Sequence, residues 1–282
     1  MSTEPGSDFL AAMARASMTR VEAARAREPA AALTARAARQ PPAPALALDP
    51  AGFDLIAELK LRSPAQGVLS ASDDDLENRV TAYARAGAAI VSVLTEPERF
   101  SGSLAHLARA SAALAPLGVP AMRKDFLVDP YQLLEARAAG AGGALLIIRM
   151  LERARLAAML AVAVELGLFV LLEAFDAADI EVATELVALW RGPPARCLIG
   201  INSRDLTTLA VVPGRLEELA ARLPTTHPRV AESGLATPAD AARLAARGFS
   251  LALVGTALMA AGSPEQLARR MIAAGRQATG KR

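Results

Sequence analysis

A single closed parallel (β/α)8 barrel with an N-terminal helical extension is the fold class this sequence predicts, and two patterns carry the expectation. Short apolar or β-branched runs recur eight times, roughly 22 to 34 residues apart, the length of one strand with its crossover helix. Several helical segments end in glycine just before the next run, as in "YARAGAAIVSVL", "EARAAGAGGALLII", "AVELGLFVLLE" and "LAARGFSLALVG". Glycine there supplies the left-handed cap that ends a helix. Eight such units in succession favour closure over the alternative, an open doubly wound sheet, which seldom needs so many evenly spaced repeats.

The elements follow in order. Residues 1–50 are rich in Ala and Arg, and Leu10, Met13, Ala14, Met18 and Val21 recur at spacings of three and four, which puts them on one side of a helix. The piece "RQPPAPALALDP" breaks helical propensity and marks a connection. The expected organisation is an extension over 1–50 capping the barrel, a catalytic barrel over 51–275, and a tail over 276–282. The strand candidates are "LIAELK" (55–60), "AIVSVL" (89–94), "VPAMRK" (119–124), "ALLII" (144–148), "FVLLE" (169–173), "CLIGIN" (197–202), "RVAES" (229–233) and "LALVG" (251–255).

Composition removes several function classes. Hydrophobic residues make up 53% against 21% charged, ample for a buried core. A net charge of +2 without a dense basic cluster interleaved with aromatics argues against nucleic acid as a partner. One cysteine and two histidines leave little for a metal site, and Cys197, inside "RCLIGI", reads as a small buried hydrophobe. His106 and His227 read as structural or solvent-facing. The start has an early Glu and Asp and no continuous apolar segment, so no signal peptide is expected. The most apolar stretch, 156–175, is interrupted by Glu165 and Gly167 and divides into helix, turn and strand, not a membrane span. The expectation is a cytoplasmic protein, a monomer or weak homodimer, without membrane contact.

Chemistry in such a barrel gathers where strands end, because side chains there enter a mouth shaped by the following loops. The ends here are charged: Glu58 and Lys60, Lys124, Glu173, Asn202 with Arg204 and Asp205, then Glu232 and Ser233. Alternate residues share a face, so Glu58 goes with Lys60, Lys124 with Phe126, and Gly200 with Asn202. An unpaired charge in an enclosed volume costs several kcal/mol, so convergence of these groups points to function. Arg123, Asp125 and Asp205 read as scaffold or loop-fixing residues. After the last two strands, Ser233 with Gly234, and Gly255 with Thr256, can offer backbone amides to an anion. A short helix beginning near Thr256 would add its positive end, in the loops where barrels often hold phosphate.

The residues therefore suggest acid/base work on a phosphorylated sugar. Desolvation or a neighbouring cation can bring a lysine down to about 7 to 8, where it donates a proton to a carbonyl oxygen. A Schiff-base aldolase is the rival use of the same lysine, and spacing does not separate the two.

The segments "IAELKLRSPAQG", "SVLTEPERFSGSL", "MRKDFLVDPYQLLEARAAGA", "LLEAFD", "IGINSRDLTTL" and "VAESGL…LVGTALM" together closely resemble the indole-3-glycerol phosphate synthase family, in the correct order over about residues 53–275. The resemblance implies closure, decarboxylation and dehydration of 1-(2-carboxyphenylamino)-1-deoxyribulose 5-phosphate, a small phosphorylated substrate, with no cofactor and no metal. It implies Lys124 as general acid and Glu173 as general base oriented by Asn202. Lys60 would give the departing water its proton or hold the substrate's carboxylate and phosphate, and Glu58 and Glu232 would position Lys124. Ser63 and Arg204 would contact the carboxylate or ring side, with Phe100, Phe126 and Leu206 walling the ring. Ser233, Gly234, Gly255 and Thr256 would bind phosphate. The chain departs from the family at Ala65, where a second serine is common, and at Phe175, where a histidine is frequent.

Overall fold

The computed structural model describes residues 5–49, 52–63, 67–69, 75–206 and 208–280, with side chains for these except residues 5–8 and 63. Among the described residues, eight parallel strands close into a barrel: β1 (Asp54–Leu59), β2 (Ile90–Leu94), β3 (Ala121–Lys124), β4 (Gly143–Ile147), β5 (Phe169–Ala174), β6 (Cys197–Asn202), β7 (Arg229–Glu232) and β8 (Leu251–Val254). Each pairs with its sequence neighbours, and β8 returns to β1 in the register Asp54↔Leu251 to Ala57↔Val254. The eight predicted runs coincide with these strands to within two residues at either end.

Strands covered on both faces are apolar nearly throughout, yet period-2 alternation still separates two environments. Leu55, Ala57 and Leu59 of β1, Val91 and Val93 of β2, and Val170 and Leu172 of β5 join the layer between sheet and helices. Their neighbours Ile56, Ile90, Phe169 and Leu171 fill the barrel interior with Met122, Leu145, Leu198, Val230 and Leu251. This parity aims Glu58, Glu173, Asn202 and Glu232 inward above an apolar floor. The stretch 156–175 is divided as expected: helix Arg153–Glu165, a turn through Gly167 at φ +68°, then β5. Among the described residues no helix is long and apolar enough to cross a membrane.

The extension forms two helices, α1 (Pro5–Arg27) and α2 (Ala30–Arg39), and reaches both ends of the barrel. At the end where β3 leads into Phe126, Leu10 and Met13 of α1 join the interior cluster and the Phe9 ring meets Phe126 edge-on at 5.9 Å. Further along, Val21 packs with Leu33 and Ala37 of α2 against Tyr131 and Ala138 of the helix after β3. The proline-rich connection then runs to the opposite end, where Leu46 and Leu48 pack against the interior cluster and Asp49 N donates to Asp54 Oδ2 at 2.7 Å. The last helix, Pro264–Thr279, continues past residue 275, and its Arg276 bonds Asp54 at 2.8 Å.

Three local features were not foreseen. A two-residue ladder, Arg62–Ser63 with Gly67–Val68, follows β1. A single helical turn, Pro97–Phe100, follows β2; the buried Glu96 caps it, accepting from the amides of Glu98, Arg99 and Phe100. Asp125 is buried and gathers Thr95 Oγ1 at 2.7 Å, Arg123 at 3.2 Å and Arg20 of α1 at 3.1 Å. This network supports the scaffold reading of Arg123 and Asp125 and joins α1 to the β3 end.

Candidate active site

The strand ends converge on one cavity at the C-terminal mouth. It is lined by fourteen of the fifteen residues singled out from sequence: Glu58, Lys60, Phe100, Lys124, Phe126, Glu173, Asn202, Arg204, Leu206, Glu232, Ser233, Gly234, Gly255 and Thr256. The remaining one, Ser63, pairs through its backbone with Gly67, and its side chain lies outside the described atoms.

At the centre is a chain of charge. Lys124 Nζ lies 3.3 Å from Glu173 Oε2 and 3.8 Å from Glu232 Oε2, and Lys60 Nζ lies 2.9 Å from Glu58 Oε1. The two lysine side chains are 16% and 12% exposed, so their ammonium groups face the cavity and little else. Asn202 Nδ2 donates to Glu173 Oε1 at 2.7 Å, which leaves the other oxygen of that carboxylate for Lys124. The amide's own oxygen accepts from Arg204 N at 2.9 Å, so Asn202 cannot swing away without breaking two bonds.

The electrostatics correct one expectation. Burial by itself would push Lys124 down, but Glu173, Glu232 and Glu58 together raise it above its ordinary value. Three acids outweigh desolvation, which favours the ammonium form of the side chain. Glu58 is held below the usual carboxylate range: burial opposes this, and Lys60 and Lys124 prevail. Glu232 behaves oppositely. Burial and the neighbouring Glu173 raise it well above that range, and Lys124 offsets them only in part. Two glutamates of one cavity are thus shifted in opposite directions, one by the lysines beside it and the other by burial and a neighbouring acid.

The walls have separate origins. Phe100 and Phe126 stand 6.3 Å apart, and Glu96 fixes the first by capping its helical turn. Leu206 packs against the interior cluster. The turn after β7 holds two successive left-handed residues, Ser233 at φ +68° and Gly234 at φ +77°. Glycine adopts that region freely, whereas for serine it is strained, and strain of this kind concentrates at functional sites. Ser203 secures the turn, its hydroxyl donating to the carbonyls of Glu232 and Ser233 at 3.2 and 3.1 Å. After the adjacent β8, Gly255 leads into the short helix Thr256–Ala260.

Sequence reasoning missed Ser203, Glu96 and Arg20, which support the cavity from outside it. A clue existed for Glu96: an acid directly before Pro97 is a helix-start signal. Nothing comparable marks Arg20, whose hydrogen-bond partner Asp125 lies 105 residues away.

With this geometry in view, comparison with known proteins decides the kinship. Residues 10–271 match the family described as indole-3-glycerol phosphate synthase. The chain belongs to the indole-3-glycerol phosphate synthase family. It is 43% identical over 221 residues to an indole-3-glycerol phosphate synthase of a Nocardioides species, covering 78% of this chain and 80% of that protein. With one from Leifsonia xyli it shares 41% over 255 residues, 89% of this chain and 94% of the other. Among solved structures, 3-hexulose-6-phosphate synthase from Salmonella typhimurium superposes with a TM-score of 0.60 at 13% identity, over 80% of this chain and 99% of that one. That likeness concerns the barrel fold alone.

Of the two departures from the family pattern, Ala65 lies outside the described residues. Phe175, in the place of the histidine frequent in indole-3-glycerol phosphate synthases, is buried under the Arg149 guanidinium at 4.8 Å. It is not a lining residue of the cavity described above. Cys197 is buried, and burial pushes its thiol up to about 12, as expected of an inert core residue.

Proposed function

We propose that this protein catalyses the reaction for which its family is named, converting 1-(2-carboxyphenylamino)-1-deoxyribulose 5-phosphate to indole-3-glycerol phosphate. One observation carries the reading: an ammonium, Lys124, held charged between Glu173 and Glu232 at the mouth of the barrel, beside a second lysine paired with Glu58.

In the first step the ring carbon bearing the carboxylate attacks the ketone carbon. A carbon–carbon bond forms, and the carbonyl π pair moves to oxygen, which takes a proton from Lys124. The bond to the carboxylate then breaks, its electron pair restores ring aromaticity, and carbon dioxide leaves. In the last step the hydroxyl departs as water with a proton from Lys60, while Glu173 takes the proton from the neighbouring carbon as the new double bond forms. Electrons balance within the substrate, and of the two protons given by the lysines one is taken up by Glu173 and the other is made good from solvent, so the proposal invokes no cofactor and no metal.

The charge state of Lys124 supports an acid over a Schiff-base nucleophile. An amine that attacks a carbonyl must first lose its proton, and three carboxylates hold that proton in place. Asn202 orients Glu173, and Glu58 and Glu232 position the lysines. Arg204 and Ser63 serve the substrate carboxylate, and Phe100, Phe126 and Leu206 wall the aromatic ring. The turns at Ser233, Gly234, Gly255 and Thr256, with Lys60 nearby, hold the phosphate. The extension over residues 1–50 is the cap of a catalytic barrel over 51–275.

The test is direct. Pure protein mixed with the carboxyphenylamino ribulose phosphate in the presence of a chelator is expected to generate indole absorbance. Silence from folded protein would overturn the reading.

A further inference from the structure

Strand β6 carries a glycine that its backbone does not require. Gly200 sits in mid-strand, in register between Glu173 of β5 and Val230 of β7, and it is not among the residues at positive φ. A glycine inside a strand weakens it, and such a position marks the close approach of another group. Here that group is a carboxyl. A Cβ built on Gly200 would overlap Glu232 Oε1 and stand 3.1 Å from Glu232 Cδ and 3.1 Å from Leu171 Cδ1.

Glu232 has unusually little else to hold it. Among the described residues neither buried oxygen has a hydrogen-bond partner, and the Lys124 ammonium is 3.8 Å away, beyond hydrogen-bond range. Glu173, by contrast, has Asn202 and Lys124 within 3.3 Å. Shape therefore has to do for Glu232 what hydrogen bonds do for Glu173. The charged groups acting on Glu232 are Glu173, Lys124 and Glu58, all reached across the barrel interior.

We infer that Gly200 is a positioning residue: the side chain it lacks is the slot that seats the Glu232 carboxyl and, through it, sets where the Lys124 ammonium stands. This rests on the proposed role of Lys124, and a displacement of about 1 Å in such a site can cost about 10²-fold in rate. Gly255, just after the neighbouring β8, repeats the arrangement, since a Cβ there would overlap Glu58 Oε1, but that residue also leads into the proposed phosphate loop and makes a less separable test.

The experiment compares wild type, Gly200→Ala, Glu232→Asp and the double variant Gly200→Ala/Glu232→Asp. Two readouts are used: kcat with the carboxyphenylamino ribulose phosphate, and the titration of the Glu232 carboxyl by carbon-13 NMR without substrate, its resonance identified with Glu232→Gln. Gly200→Ala is expected to lose about 10 to 10²-fold in kcat and to move the Glu232 midpoint. The double variant, with a carboxyl one methylene shorter, is expected to recover at least about tenfold over Gly200→Ala, although Glu232→Asp alone lowers activity. Should Gly200→Ala fail to fold while the double variant folds, the same conclusion holds. An unmoved midpoint in folded Gly200→Ala, a double variant no better than the single one, or failure of both to fold would each overturn the inference. Because the titration needs no turnover, an inactive wild type would sink the proposed reaction and still leave the seating of Glu232 decided.

Discussion

Replacing Lys124 with methionine removes the ammonium and keeps most of the side chain's bulk. The catalytic loss follows from the role: a general acid is typically worth about 10² to 10⁴-fold, or about 3 to 5 kcal/mol at 1.36 kcal/mol per tenfold. The structural loss is bounded separately. Removing one partner of a buried ion pair commonly costs about 3 to 5 kcal/mol. That figure is a ceiling here, because Asn202 still bonds Glu173 and Lys60 still pairs with Glu58. The two losses are similar in size, so the assay must separate them. The measurement is kcat at saturating substrate on protein shown to be folded by circular dichroism, with stability from urea unfolding at pH 5 and pH 8. The expected result is near-complete loss of turnover at both pH values and a stability loss that shrinks at pH 5, where acids take up protons. Turnover within tenfold of wild type would refute the general-acid argument.

Other expectations test different parts of the molecule. Glu173→Gln keeps the size of the side chain and can still accept from Asn202, but it cannot take a proton, so kcat should fall by about 10² to 10³-fold. Quenched-flow mass spectrometry should then detect a decarboxylated, still hydrated intermediate, and its absence would remove Glu173 from the dehydration step. For Glu232, whose folded pKa is raised, the favourable contribution is complete below the unfolded carboxylate value near 4.5 and is lost as pH rises towards the folded one. Glu232→Gln should therefore match wild type in urea unfolding near pH 4 and exceed it near pH 9; equal stability at both values would contradict the sign. Asp125→Ala strips the buried Arg123 of one acid and α1 of its Arg20 anchor, and a loss of about 3 kcal/mol or more is expected by chemical denaturation. Gly275→Ala in the last helix should gain up to about 1 kcal/mol in helix propensity, yet its methyl group would overlap the Phe53 ring. Overpacking of about 1 to 3 kcal/mol should win, and a higher melting temperature would show that Phe53 yields.

The chain's periodicity was enough to predict the architecture. Eight evenly spaced runs with glycine-capped helices between them favour closure over an open sheet, and β8 pairs with β1 accordingly. The cavity residues were legible for the same reason: period-2 parity and position at a strand's end place a side chain without knowledge of its neighbours. Glu58, Lys124, Glu173, Asn202 and Glu232 were found in this way. What parity does not encode is distance across the barrel. The sequence could not say that Lys124 is raised and not lowered, because that depends on how closely three acids from three other strands approach it.

Local chemistry alone determined which residues face inward, where helices stop and which loops can turn; these depend on groups a few bonds apart. Tertiary structure decided the rest. It put Arg20 of α1 on Asp125, shifted two glutamates of the same cavity in opposite directions, and gave the strand glycine at 200 a carboxyl to make room for. Coulomb energy, desolvation and excluded volume all depend on separation in space, and folding makes neighbours of residues that the chain keeps far apart.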